Sequence, residues 1–306
     1  MNRELEQIVA EVNQVVKGKD GVIRKALAAI LAGGHVLLED IPGVGKTTLA
    51  MALGKAMELS YKRMQFTPDV LPSDIVGFTM YNSATGAFEY KKGAVFCNLF
   101  LADELNRTSS KTQSALLEVM EEAKVTVDGV SYPLEPPFTV IATENPFGSS
   151  GTQLLPESQL DRFMICLSMG YPSHAAAIDI LKGSEGRGLD QVRSVITKDR
   201  LIMLRSQTEH LHADDRIYEY IINLTEETRR EQGIALGVSP RGSIALLKMA
   251  KAMAMMRGGE YVIPEDVLAV IDDVWKHRIK LNARARAEGM DVSDMIQKIT
   301  ERIHAV

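Results

Sequence analysis

Short apolar runs alternate with longer segments of helical periodicity as far as about residue 170. The runs are HVLLE (35–39), YKRMQFT (61–67), CNLFLAD (97–103), FTVIAT (138–143) and FMICLSM (163–169). Continuous apolar strands separated by helices are typical of a parallel sheet that is covered on both faces. The first part of the chain is therefore predicted to be an α/β domain.

Other segments modify this plan. Residues 4–33 predict two helices, which break at KGKD. The segments GFTMYNSATGAFEYKKG and KVTVDGVSYPL predict two hairpins inserted into the core, turning at NSATG and at Asp128-Gly129. From about residue 173 onward only helical periodicity remains, and the glycine-rich LKGSEGRGLD (181–190) is a plausible connection. We predict a core domain over residues 1–182 and a smaller helical domain over residues 183–306.

Composition limits the possible classes of protein. Hydrophobic residues make up 45% and charged residues 25% of the chain, and no apolar segment is long enough to span a membrane. The N-terminus does not follow the plan of a signal peptide, so a cytoplasmic location is expected. Cys97 and Cys166 lie in apolar runs, which predicts buried free thiols. The formal net charge of -5 and the scattered basic residues make a nucleic-acid partner unlikely to be the target.

The loop DIPGVGKTT follows the first strand and leads into a helix, which is the setting that a phosphate-binding loop requires. Pro42, Gly43, Val44 and Gly45 would let backbone N–H groups surround the phosphates. Lys46 would reach the β- and γ-phosphates, Thr47 would bind Mg²⁺, and Thr48 would continue the cradle. The usual first glycine of the motif is Asp40 here. The alternative is a glycine-rich turn with an incidental lysine.

Two further strands end in polar residues. Asp103 and Glu104 follow CNLFLA, so Asp103 is predicted to hold Mg²⁺ and Glu104 to polarise the attacking water. Asn145 follows the strand FTVIAT and is predicted to contact the water or the γ-phosphate, with simple loop capping as the alternative. Ligands of open α/β sheets gather at the carboxyl edge, where all three strands end.

In this order the residues resemble the AAA+ ATPases, and more narrowly the MoxR family. The resemblance covers nearly the whole chain. It rests on LLEDIPGVGKT (Walker A), LFLADELNRTSSKTQSALLEVMEE (Walker B), VIATENP (sensor 1), GTQLLPESQLDRF and GVSPRGSIAL. It implies a three-layer P-loop AAA+ core with a parallel five-stranded sheet, followed by an all-α helical lid domain. The two hairpins resemble the helix-2 insert and the pre-sensor-1 hairpin of this clade.

The same resemblance assigns four further residues. Arg162 in LDRF resembles the arginine finger, and Arg241 in SPRGS resembles sensor 2. Both arginines carry a permanent charge and a donor fork suited to phosphate oxygens, but a surface salt bridge is the alternative for each. Whether Arg241 acts on its own nucleotide or on a neighbour's stays open. Val16 and Gly18 in VVKGKD resemble the segment that contacts the adenine.

The leading hypothesis is an ATPase that binds ATP or ADP with Mg²⁺, forms a homo-oligomeric ring, expected to be a hexamer, and remodels a client protein. Resemblance to MoxR proteins implies maturation or metal or cofactor insertion, together with a von Willebrand factor A domain protein. One alternative is a DNA-acting motor of the minichromosome-maintenance type. Against it, the pre-sensor hairpin has only Lys124 before it and no basic residue within it. A second alternative is a nucleotide-gated scaffold that does not hydrolyse ATP.

Overall fold

The computed structural model describes residues 2–41, 43–145, 155–172, 174, 177–178 and 188–304. Pro42 and most of the predicted connection at 181–190 lie outside these residues. The boundary predicted between residues 182 and 183 also falls outside them and stays a prediction.

The described strands and helices are numbered here in chain order. The strands are β1 (Val36–Glu39), β2 (Tyr61–Gln65), β3 (Gly77–Asn82), β4 (Ala87–Lys92), β5 (Leu99–Asp103), β6 (Lys124–Val127), β7 (Val130–Pro133), β8 (Thr139–Glu144), β9 (Ile165–Leu167), β10 (Ile234–Leu236) and β11 (Lys280–Leu281). The helices are α1 (Arg3–Asn13), α2 (Asp20–Leu31), α3 (Lys46–Ala56), α4 (Pro72–Val76), α5 (Ser110–Glu122), α6 (Glu157–Leu160), α7 (Lys198–Glu209), α8 (Asp215–Arg230), α9 (Pro240–Arg257), α10 (Pro264–Leu268), α11 (Ile271–Trp275), α12 (Ala283–Ala287) and α13 (Val292–Arg302).

The central sheet has five parallel strands in the order β2-β5-β8-β1-β9. Consecutive side chains of a strand point to opposite faces. Leu101 accordingly packs in the hydrophobic core beneath α1 to α3, whereas its neighbour Phe100 packs in the core beneath α5. The predicted strands and the three-layer α/β core are confirmed.

Both predicted hairpins are present. β6 and β7 are joined at Asp128 and Gly129, whose φ angles of 51° and 79° are those of a two-residue hairpin turn. The hairpin β3–β4 is longer, and its Tyr90 ring stacks on Tyr132 of β6–β7 with 4.0 Å between the ring centroids. The two insertions are therefore packed against each other.

The second domain is helical, as predicted, with one addition. β10 and β11 form a short antiparallel sheet within it. These strands contain three and two residues, too few for an alternating pattern to show in the sequence. Trp275 is completely buried among the helices, and its Nε1 donates to the Gly242 carbonyl at 3.2 Å.

The helical domain is fastened to the amino edge of the sheet, where the strands begin. Arg205 of α7 donates to the Ile30 carbonyl at 2.7 Å and to Thr139 Oγ1, at the start of β8, at 2.7 Å. Arg278 pairs with Asp161, just before β9, at 2.7 Å. This leaves the carboxyl edge, where β1, β5 and β8 end, beside the phosphate-loop segment.

Cys97 and Cys166 are free and buried, as predicted. Within the described ranges, no helix is both long enough and apolar enough to cross a membrane.

Candidate nucleotide-binding site

The phosphate-loop segment occupies the turn between β1 and α3. Gly43 and Gly45 have φ angles of 84° and 95°, a region that side chains disfavour, so glycine is required at both positions by the backbone path. Gly45 is the N-cap of α3, and no described side chain accepts a hydrogen bond from the first turn of the helix. The N–H groups and the helix dipole there favour an anion, as the motif predicted.

Lys46 is buried at the first position of α3, with 9% of its surface exposed. Its Nζ donates to the Asp40 carbonyl at 2.6 Å. Burial lowers the pKa of Lys46, and the negative charges of Asp40, Asp103, Glu104 and Glu144 oppose that shift. The lysine therefore lies where the ends of β1, β5 and β8 bring acidic side chains together.

Asp103 and Glu104 lie at the end of β5, as predicted, but each is engaged by an arginine that the sequence analysis did not single out. Arg63 of β2 pairs with Asp103 at 2.7 Å, and Arg107 pairs with Glu104 at 2.6 Å. Arg63 is found only once the order of the strands is known. Arg107, three residues after Glu104, is visible in the sequence as a local ion pair.

Thr143 connects the ends of β5 and β8. Its hydroxyl donates to Asp103 Oδ1 at 2.6 Å and accepts the Glu104 N–H at 2.8 Å. Glu104 has a φ of 56°, which is uncommon for a residue with a side chain. Such backbone strain persists where surrounding contacts over-determine it, often at functional sites. The contacts of Thr143 fix the direction in which Glu104 leaves the strand.

Asn145 follows β8 on the same edge, and its carbonyl accepts a hydrogen bond from Asn106 Nδ2 at 3.2 Å. The structure thus brings Lys46, Asp103, Glu104 and Asn145 to one edge of the sheet. Thr47, in the first turn of α3, is half-buried beside Lys46.

The donor set is suited to Mg²⁺. Thr47 and Asp103 supply hydroxyl and carboxylate oxygens, which this ion prefers, and Mg²⁺ usually takes only one or two carboxylates in addition to substrate phosphates. Within the part of the chain that the structure describes, no group of three or more His, Cys, Asp or Glu side chains is arranged to hold a metal. A site completed by phosphate oxygens is consistent with both observations.

Glu144 is a buried acid that the sequence analysis recognised only as a polar strand end. It is 5% exposed, and its Oε2 has no hydrogen-bond partner among the described residues. Burial raises the pKa of Glu144 to about 7, and Glu39, its neighbour in β1, adds to the effect while Lys46 opposes it. An uncharged Glu144 is therefore the favoured form beneath the loop in mildly acidic solution.

Val16 and Gly18 lie on the other side of the loop, towards β9. Val16 is buried in the core, and Gly18 has a φ of 72°. The neighbouring Lys19 donates to the carbonyls of Gly170 at 3.1 Å and Tyr171 at 2.8 Å, and also to that of Met169. The segment resembling an adenine contact is thus joined to the chain that leaves β9.

Arg162 and Arg241 lie elsewhere. Arg162 pairs with Glu121 Oε2 at 3.4 Å, and Arg241 pairs with Glu121 Oε1. They line one cleft of about 400 Å³ together with Gly34 and His35, which precede β1. The cleft is therefore at the amino edge, and the structure does not bring either arginine to Lys46. The salt-bridge alternative describes their contacts, although Arg162 Nε is buried without a hydrogen-bond partner among the described residues.

Comparisons with known proteins agree with this arrangement. Residues 35–165 match the model of the ATPase family associated with various cellular activities (AAA), and residues 226–299 match the AAA lid domain. A crystal structure of a protein from Cytophaga hutchinsonii superposes with a TM-score of 0.91 at 38% identity, covering 99% of this chain and 95% of that one. The fold and the loop thus define an AAA+ ATPase with a helical lid.

Two curated relatives narrow the class. The chain is 46% identical to the uncharacterized protein YeaC of Bacillus subtilis, over 98% of this chain and 94% of the relative. It is 34% identical to Chaperone MoxR1 of Mycobacterium tuberculosis, over 98% of this chain and 81% of the relative. The protein belongs to the MoxR family of AAA+ ATPases.

The buried Glu144 generates a prediction about stability. Because the folded protein raises the pKa of Glu144 from 4.5 to about 7, the stability contributed by its protonated form is fully present below about pH 4.5. That contribution is lost as the pH rises through about 7. Glu144→Gln has no charge to ionise, so its free energy of unfolding should gain on the order of 2–3 kcal/mol relative to wild type between pH 4.5 and pH 8.

Urea unfolding at several pH values measures this difference. Glu219→Gln, at an exposed position of α8, is the control and should show no such trend. A difference between Glu144→Gln and wild type that does not vary with pH would contradict the assignment.

Proposed function

We propose that this protein hydrolyses ATP to ADP and phosphate at the carboxyl edge of the sheet. The observation that carries the proposal is the convergence of Lys46 with Asp103 and Glu104 beside the N-terminus of α3. The family membership supports nucleotide binding by the same segment. The backbone N–H groups of Gly43 to Thr48 would hold the phosphates, and Lys46 would leave the Asp40 carbonyl to contact them.

The carboxylates and the amide have separate roles in this proposal. Thr47 and Asp103 would hold Mg²⁺, whose charge would neutralise the phosphate oxygens. Glu104 would accept a hydrogen bond from the attacking water and polarise it, while Asn145 would orient that water or the γ-phosphate. Since Arg63 and Arg107 pair with Asp103 and Glu104, both ion pairs must open before the two carboxylates act.

Arg162 and Arg241 would act on the nucleotide of a neighbouring subunit. They lie at the amino edge, and a strand of six residues such as β8 spans roughly 17 Å. An arginine side chain fastened there to Glu121 does not reach across the sheet to Lys46 in its own subunit. A ring in which the amino edge of one subunit meets the carboxyl edge of the next would place both arginines on bound phosphates. We propose a homo-oligomeric ring, a hexamer, for this reason.

The long hairpin β3–β4 would transmit the motion to a client protein. Phe88 and Tyr81 contact each other edge to face at 5.4 Å between centroids and are 74% and 56% exposed. Exposed aromatic groups of this kind mark interaction surfaces. The relative named Chaperone MoxR1 supports a chaperone-like role in remodelling, maturation, or metal or cofactor insertion, with a von Willebrand factor A domain protein as the partner that the family resemblance implies.

Nothing in the described hairpins favours a DNA motor. Lys124, which opens β6, pairs with Glu122 at 3.3 Å, and the rest of β6 and β7 carries no basic side chain. A groove that follows a phosphate backbone needs positive charge.

The first test replaces the proposed base. Glu104→Gln should bind ATP with an affinity within about threefold of wild type and hydrolyse it at least about tenfold more slowly, because the amide cannot polarise the water. Phosphate release at high protein concentration measures the rate, with Glu219→Gln as the control. Turnover at the wild-type rate would exclude Glu104 as the base, and absence of turnover in the wild type would favour the scaffold.

The second test mixes two inactive variants. Arg162→Ala and Glu104→Gln should each be inactive alone, yet a mixture should regain turnover where a Glu104→Gln subunit presents its Arg162 to the intact site of an Arg162→Ala subunit. A mixture of Arg162→Ala with Arg241→Ala is the control and should stay inactive, since every interface lacks one of the two arginines. If the first mixture also stayed inactive, action on the neighbouring subunit would be refuted.

The third test concerns the hairpin. Phe88→Ser should keep the ATPase rate within about twofold of wild type but lose binding to reduced, carboxymethylated α-lactalbumin, a permanently unfolded probe. Tyr261→Ser changes an aromatic residue of the lid that is also exposed and should retain that binding. Equal binding by wild type and Phe88→Ser would remove the hairpin from the client-contacting surface.

A further inference from the structure

The chain that leaves β9 is held from two sides. Ser168 Oγ donates to Asp40 Oδ2 at 3.0 Å, and the Gly170 N–H donates to the same oxygen at 2.6 Å. From the other side, Lys19 donates to the carbonyls of Met169, Gly170 and Tyr171. We call Asp40, Lys19 and residues 168–171 the clasp.

The carboxylate of Asp40 suits this position. It is 8% exposed, and its second oxygen accepts the Ile41 N–H at 2.9 Å. Burial alone would raise the pKa of Asp40, but the hydrogen bonds from Gly170, Ile41 and Ser168 outweigh it and lower the pKa. Asp40 therefore remains charged at neutral pH and accepts three hydrogen bonds, which a glycine at the same position does not.

The clasp also touches the phosphate loop. The Asp40 carbonyl accepts from Lys46, and a Cβ on Gly45 would lie 3.7 Å from Met169 Cε. One residue thus connects the start of the loop, by its backbone, to the chain after β9, by its side chain.

The order of the strands indicates which part of a nucleotide lies beside the clasp. β8 and β5, which carry Asn145, Asp103 and Glu104, lie on one side of β1, and β9 lies on the other. If the γ-phosphate faces Glu104, the phosphate chain leads back across the loop, and the nucleoside lies on the β9 side. That side carries Val16, Gly18 and the clasp.

From this geometry we propose that Asp40 and Lys19 are positioning residues for nucleotide binding: together they hold residues 168–171 as the wall against which the nucleoside lies. The proposal rests on the proposed function, because it assumes that the loop binds a nucleotide. It assigns to Asp40 a reason for standing where the motif usually has glycine. It also separates binding from chemistry, since neither side chain contacts the end of the site where the γ-phosphate is cleaved.

Four variants of the full-length chain test the clasp. Asp40→Asn keeps the size of the side chain but sets an amide N–H against a backbone or hydroxyl donor. Asp40→Gly restores the usual glycine and removes all three hydrogen bonds. Lys19→Met keeps the length of the side chain and removes the bonds to the three carbonyls, and the fourth variant combines Asp40→Asn with Lys19→Met. The matched controls are Asp74→Asn, whose carboxylate accepts the Leu71 N–H, and Lys55→Met, whose ammonium donates to the Leu189 carbonyl.

The measurements are the Kd for ADP with magnesium and the kcat at saturating ATP. The Kd should rise at least about tenfold in Asp40→Asn, Asp40→Gly and Lys19→Met, while kcat stays within about twofold of wild type and the controls keep the wild-type Kd. In the combined variant the rise should be smaller than the product of the single rises, because both residues hold the same wall.

Wild-type Kd values in Asp40→Asn and Lys19→Met would overturn the clasp, and so would single effects that multiply fully in the combined variant. A fall in kcat with an unchanged Kd would also overturn it and would place Asp40 behind Lys46 instead. Failure of the wild-type protein to bind ADP is a different result, since it refutes the proposed function itself.

Discussion

The site depends on a buried positive charge among carboxylates. Lys46 has little contact with solvent, and its ammonium is offset by acidic groups from the ends of three neighbouring strands. Removing an ion from water is costly unless opposite charge or hydrogen bonds replace the lost hydration. The parallel sheet supplies that opposite charge because it brings the carboxyl ends of β1, β5 and β8 to one edge. A triphosphate entering the site would find cation, helix N-terminus and carboxylates already in place.

The sequence was sufficient to predict much of this arrangement. Apolar runs predicted the five core strands, and the turn residues Asp128-Gly129 predicted one hairpin, because both signals are local. Asp103 and Glu104 were identifiable since they follow an apolar strand directly. The roles of these residues, like those of Val16, Gly18 and the two arginines, remain proposals.

Contacts between distant segments could not be predicted in the same way. Arg63 reaches Asp103 only because β2 lies beside β5, and Lys19 reaches the chain after β9 across 150 residues. The raised pKa of Glu144 depends on burial beside Glu39, which a sequence does not display. Strands of two or three residues, such as β10 and β11, are also too short for a periodic signal. In each case the missing information is the identity of the neighbour in space.

Glu121 gives the amino edge a property that neither arginine has alone. It is a single carboxylate shared by Arg162 and Arg241, one guanidinium on each oxygen. Drawing one arginine towards an outside anion leaves Glu121 with its charge only half compensated and concentrates its attraction on the other. The two cations are therefore electrostatically coupled. An interface built on them would sense an approaching anion as one unit, with dissolved salt weakening both contacts together.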